Sequence, residues 1–101
     1  MANLSINEYG NLGHDLQGSI LPAGLEPAAV IQNIAFTKTL SAQSSAFHSD
    51  TRFVRLVSDV NVRLKFSYNP TADQNDSLMV AGQTEFFAVR PTMKVSVIQV
   101  A

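Results

Sequence analysis

From Val60 to Tyr68 the chain reads Val-Asn-Val-Arg-Leu-Lys-Phe-Ser-Tyr, apolar at every even position and polar at every odd one. A β-strand sends successive side chains to opposite faces, so this period-two pattern builds one dry face and one wet face. At helical spacing Arg63 and Lys65 would fall inside the apolar stripe. A strand of this kind needs backbone partners on its edges and a second layer over its apolar face. The remaining residues have to supply both.

Residues on either side can do so. Arg52 to Val57 is rich in β-formers, and Ser58-Asp59 offers a turn or bulge before the patterned strand. After it, Asn69 to Asp76 is polar, with Pro70 fixing the exit. Leu78-Met79-Val80 and Thr84 to Val89 read as strands flanking Ala81-Gly82-Gln83, a spacing that predicts a hairpin. Arg90-Pro91-Thr92 makes the next turn, and Met93 to Val97 alternates again as a final strand. Upstream, Val30, Ile31, Ile34 and Phe36 suit a strand, although Ala28 to Gln32 could open a helical turn. Thr37 to Thr51 is rich in hydroxyls and suits loops or exposed edges. About six short strands with regular turns predict an all-β fold, a small antiparallel β-sandwich of jelly-roll type over residues 28–101.

Residues 1–27 have a different texture. They hold Gly10, Gly13, Gly18 and Gly24 with Pro22 and Pro27, and three acids (Glu8, Asp15, Glu26) with no Lys or Arg. Glycine raises the entropy cost of ordering and proline removes ladder donors, so the segment reads as an extended arm with short pieces such as Ser19-Ile20-Leu21. The rest of the chain carries seven bases against five acids. An acidic arm on a mildly basic body is suited to docking on a partner; an ordinary solvated terminus fits the same residues. On the docking reading the contact candidates are Glu8, Tyr9, Leu12, Asp15, Ile20 and Leu21 of the arm, with Arg63 and Lys65 on the wet face of the patterned strand.

A chain of 101 residues is one domain. Only 15% of it is charged, against about 25% in ordinary soluble domains, so the surface is either amide- and hydroxyl-covered or in part covered by a partner. A net charge of −1 supplies no field to draw in nucleic acid or anionic lipid. There is no cysteine, hence no disulfide, thiolate metal site or cysteine nucleophile. The first residues hold no secretory signal, and no apolar run is long enough for a membrane helix. The expectation is a soluble protein made in the cytoplasm.

Catalytic chemistry finds little footing. Ser44, Ser45, His48 and Asp50 lie within seven residues, whereas a triad converges from separate elements. His14 and His48 are far apart and supply no zinc spacing. Asp73, Asn75 and Ser77 have the first spacing of a calcium loop, but Leu78 and Thr84 stand where Gly and Glu are required. Arg52, Arg55, Arg63 and Lys65 are interleaved with Asp50 and Asp59, which favours a partner-facing or solvated strand over a nucleic-acid track. No enzyme activity, metal or cofactor is expected.

Two stretches, Ser41-Ala42-Gln43-Ser44-Ser45-Ala46-Phe47 and Thr51 to Asp59, with Asn69-Pro70-Thr71-Ala72, Val80-Ala81-Gly82 and Glu85 to Pro91, resemble small structural proteins of tailed-phage morphogenesis modules. Within these the resemblance is to capsid decoration, or cement, proteins with a jelly-roll-like fold, and it spans roughly residues 35–98. Thr92 departs from it where a turn glycine is expected, which predicts a turn without positive φ. The resemblance implies a virion structural protein that binds the outer surface of a phage capsid and reinforces it by bridging shell subunits. Its partners would be the major capsid protein and further copies of itself, as dimer or trimer. Its place would be the capsid surface after synthesis in the host cytoplasm. The alternatives are a head–tail connector component, or a tail or receptor-binding accessory module that recognises carbohydrate through exposed aromatics. Tyr9 and Phe87 are the outer-face aromatics available for that.

Overall fold

The computed structural model describes residues 2–10, 12–14, 20–24, 28 and 30–101, giving the backbone path alone for 12–14 and 20–24. All regular structure among them is β: β1 (Ala2–Tyr9), β2 (Leu12–His14), β3 (Ile20–Gly24), β4 (Val30–Phe36), β5 (Ala42–Gln43), β6 (Phe53–Ser58), β7 (Val62–Ser67), β8 (Ser77–Met79), β9 (Thr84–Ala88) and β10 (Lys94–Gln99). One sheet has the order β4-β1-β6-β9 and a second the order β5-β10-β7-β8, with every neighbouring pair antiparallel. β2 and β3 form a separate ribbon. The expected all-β antiparallel sandwich is what the chain forms.

The core lies between the two sheets. Leu4 and Ile6 of β1, Val54 and Leu56 of β6, Val62 and Leu64 of β7, and Val95 and Val97 of β10 meet there, closed by Phe36, Phe47 and Met79. Each such side chain contributes about 1.5–3 kcal/mol on leaving water. The even positions of β7 point inward as their alternation requires, and the neighbouring strand β10 sets Val95 opposite Phe66 and Val97 opposite Leu64.

Three expectations need correction. Residues 2–9 do not belong to an arm: β1 is an interior strand, paired with β4 from Ala2↔Phe36 to Glu8↔Val30 and with β6 from Leu4↔Ser58 to Tyr9↔Phe53. Ala2, Leu4 and Ile6 alternate with Asn3, Ser5 and Asn7, the same signal as in β7, and pooling them with the glycines and prolines that follow hid it. The sandwich is therefore built from residues 2–10 as well as from the chain after residue 28.

Ala81-Gly82-Gln83 is not a hairpin. β8 pairs with β7 and β9 with β6, so this turn carries the chain from one sheet to the other. It is tied to the neighbouring crossover by Gly82 N–H to the Ser58 carbonyl (2.9 Å) and Ala81 N–H to Asn61 Oδ1 (2.9 Å). Gly82 takes φ 77°, which its lack of Cβ allows.

Thr92 also has positive φ, 66°. A β-branched residue is strained there. Its N–H bonds the Phe47 carbonyl at 3.1 Å while Phe47 N–H bonds the Met93 carbonyl at 2.8 Å, so the ladder between the 47 loop and the start of β10 holds the conformation.

Candidate docking surface

β1 and β4 do not end their partnership at the sheet. Past Gly10 the same two chain segments meet again as β2 and β3, with Leu12 opposite Gly24 and His14 opposite Ile20 after a register shift. The four strands thus pair as a hairpin does: β1 and β4, the proximal pair, are built into the sandwich, and β2 and β3, the distal pair, pair only with each other among the described elements. Gly10 stands where the two halves join. A Cβ there would sit 2.9 Å from the Asp50 carbonyl oxygen, so a side chain would push the hairpin off the loop beneath it.

The base of the hairpin is anchored by Glu8. It follows Ala2, Leu4 and Ile6 on the inward face of β1 and is fully buried. Its Oε1 accepts from His48 N–H and from the Thr51 hydroxyl, each at 2.8 Å, and its Oε2 accepts from Gln32 Nε2 at 2.8 Å. Gln32 in turn accepts from Ser45 N–H at 2.9 Å. A buried carboxyl with both oxygens occupied is a structural pin. It locks loop 44–51 against β1 and β4.

The sequence-derived contact candidates therefore separate. Glu8 and Tyr9 are buried within the monomer and are corrected to structural roles; Tyr9 stacks on Phe53, with ring centres 5.3 Å apart. Leu12 lies on β2, and Ile20 and Leu21 on β3, so these three share the distal ribbon. Asp15 lies outside the described residues. Arg63 and Lys65 lie on the outer face of the other sheet. Arg63 is half-buried under loop 69–76, donating to the Asp76 carbonyl at 3.3 Å with its Nε left without a partner, while Lys65 is exposed.

Further surface features were not singled out from the sequence. Lys94, opposite Ser67 in the ladder, stands on the same outer face as Lys65, as the alternation of Met93 to Val97 implies once β10 is paired with β7. On the outer face of the first sheet, Phe86 is 50% exposed and lies beside Phe53 at 6.1 Å, and Ile31 is 62% exposed. Phe87, expected to face outward, points into the sandwich against Phe66 at 5.1 Å. Inward and outward exchange at β9 because its partner is β6, which sets Val54 opposite Phe87 and Arg55 opposite Phe86.

Among the described residues no Lys or Arg lies within ion-pair distance of an Asp or Glu; the single ionic contact is His48 with Asp50 at 3.8 Å, both well exposed.

The residues weighed for chemistry have local duties. Ser44 is buried, its hydroxyl donating to the Ser45 carbonyl and accepting from Val95 N–H. His48 Nδ1 accepts from Asp50 N–H at 3.1 Å. Asp73 and Asp76 cap their own loop, accepting from Asn75 N–H and Asp73 N–H, each at 2.8 Å. An open cleft of about 560 Å³ lies at the opposite end of the sandwich from the hairpin base, lined by Ala2, Phe36, Lys38, Asp59 and Gln99 among others.

Comparison of the chain with protein-family models, with curated proteins and with solved structures finds no match to any of them.

Proposed function

We propose that this chain is a non-enzymatic virion structural protein that binds and reinforces the outer surface of a phage capsid by bridging shell subunits, with the distal hairpin as its docking element. The observation that carries the reading is the division of the hairpin into β1–β4, inside the sandwich, and β2–β3, outside it. A two-stranded ribbon on its own is marginal in water, and β2–β3 has no third strand among the described elements. A ribbon whose base is pinned by Glu8 and which pairs with no further strand among the described elements is suited to a surface it can lie along.

Two further features support it. The sandwich order favours the jelly roll that such proteins are expected to share. From β4 to β10 successive strands fall into the two sheets in jelly-roll sequence, and β1 occupies the place a final strand would take between β4 and β6. The low charge content leaves a surface that costs little to desolvate against many neighbours, and several weak contacts sum through multivalency.

The test is co-sedimentation of the purified chain with undecorated capsids of the virus that encodes it. Saturable binding at a fixed ratio to shell subunits is expected. If the chain stays in the supernatant at every concentration, the shell reading is abandoned. A tail accessory that recognises carbohydrate is favoured by one observation, the exposed Phe86 beside Phe53, and glycan binding lost in Phe86→Ala would identify it.

A further inference from the structure

Sheet edges offer unpaired backbone donors and acceptors, and monomeric proteins guard them by shortness, charge or proline. Three of the four edges of this sandwich are guarded. β5 is two residues long and β8 three. β9 carries Glu85 and runs into Pro91 three residues beyond its end. The fourth, β4, is seven residues of Val-Ile-Gln-Asn-Ile-Ala-Phe with no charge and no proline. Among the described elements it is paired on one side only, with β1. Ile31, Asn33 and Ala35 are exposed along its outer face, Ile31 by 62%.

We infer that β4 is a self-association edge: it pairs antiparallel with β4 of a second copy about a two-fold axis at Asn33, joining two four-stranded sheets into one of eight. The strand is compatible with itself in that register. Asn33 meets its own copy, and an amide side chain carries both donor and acceptor, so two of them can bond each other. Ile31 meets Ala35, which covers an otherwise exposed side chain, and Gln32 meets Ile34. No like charges face each other, because β4 and the outward positions of β1 (Asn3, Ser5, Asn7) are all uncharged and the first charge on that face is Arg55, on the third strand. An isologous contact of this kind closes after two copies and leaves no further edge of the same type exposed. The inference is independent of the shell reading, since copies can pair whether or not they decorate a capsid.

Sedimentation equilibrium of the full chain tests it. The molar mass is expected to rise with concentration from 10.9 kDa to twice that value. Asn33→Lys and Asn33→Asp each place like charges opposite one another and are expected to stay at the single-chain mass where the native chain is paired. Mixing the two variants is expected to restore the doubled mass. Because the chain has no cysteine, Asn33→Cys gives a second readout. Directly opposed Cβ atoms on antiparallel strands lie about 4.5–5.5 Å apart, so mild oxidation should link two copies. Thr84→Cys, exposed on the other edge of the same sheet, should not link. A native chain that stays single at all concentrations, pairing that survives both charge variants, a mixture that stays single, or equal linkage at positions 33 and 84 would each overturn the inference.

Discussion

Glu8 and Thr92 are the two residues at which local preference yields most visibly to the fold. Glu8 continues the inward face of β1 in a place where the pattern asks for an apolar side chain, and is accommodated because three donors converge on it. Glu8→Ala strands the Thr51 hydroxyl, itself fully buried, and His48 N–H, and is expected to lower stability by about 2–4 kcal/mol in urea unfolding. Glu8→Gln keeps an acceptor for some of these donors and should lose less. Equal losses would mean that shape, not hydrogen bonding, holds the pin. Thr92 is the reverse case, a residue strained by φ 66° with its backbone bonded in place. Thr92→Gly removes that strain at some cost in chain entropy, and a net gain of about 1 kcal/mol is expected. For a domain of this size that is about 4–8 °C in melting temperature. A lowered Tm would show that the threonine side chain contributes contacts outweighing the strain.

The hairpin is the element on which fold and proposed function meet. Removing residues 1–27 would take away β1, an interior strand, and with it Leu4 and Ile6 of the core. That deletion would unfold the body and say nothing about docking. Replacing only residues 11–27 with a short Asn-Gly turn keeps the Glu8 pin and both sheets. This shortened chain is expected to retain its circular dichroism spectrum and cooperative melting while losing capsid co-sedimentation. Retained binding would move the docking surface to the body, with Lys65 and Lys94 on the outer face of β7 and β10 as the next contacts to substitute. The element was half legible. Of the expected extended piece Ser19-Ile20-Leu21, Ile20 and Leu21 open β3 and Ser19 lies outside the described residues; β1 carries a readable alternation that the glycines and prolines after it obscure.

At the scale of the whole molecule, the place of β1 leads to a prediction about connectivity. The start of β1 and the end of β10 come together at the cleft, where Ala2 and Gln99 are both in the lining, Asn3 N–H bonds Asp59 Oδ1 and Val100 N–H bonds the Asn61 carbonyl. A permuted chain that joins Ala101 to Met1 through a short flexible linker and opens between Gln17 and Gly18 should fold to the same sandwich, within about 1–2 kcal/mol of the parent. A permuted chain that fails to fold would mean that the covalent hairpin is needed to bring β1 to β4. By itself the sequence determined that the chain is β and, where alternation is strict as in β7, which face is dry, because period two is a property of neighbouring side chains and the core selects it directly. β7 and β10 lie where alternation puts them, β6 lies in its β-rich stretch, and β4 is the strand and not the helical turn that Ala28 to Gln32 also allowed. Which strand lies beside which was decided only in three dimensions. Backbone hydrogen bonds are the same for every strand, so nothing local separates a hairpin at 81–83 from a crossover between sheets, or an arm from an interior strand with its continuation. The pairing of β9 with β6 turned Phe87 inward and Phe86 outward, and the approach of loop 44–51 to β1 made Glu8 a pin where the sequence suggested a contact. Those outcomes depend on partners far apart along the chain, and only the packing of the two sheets selects them.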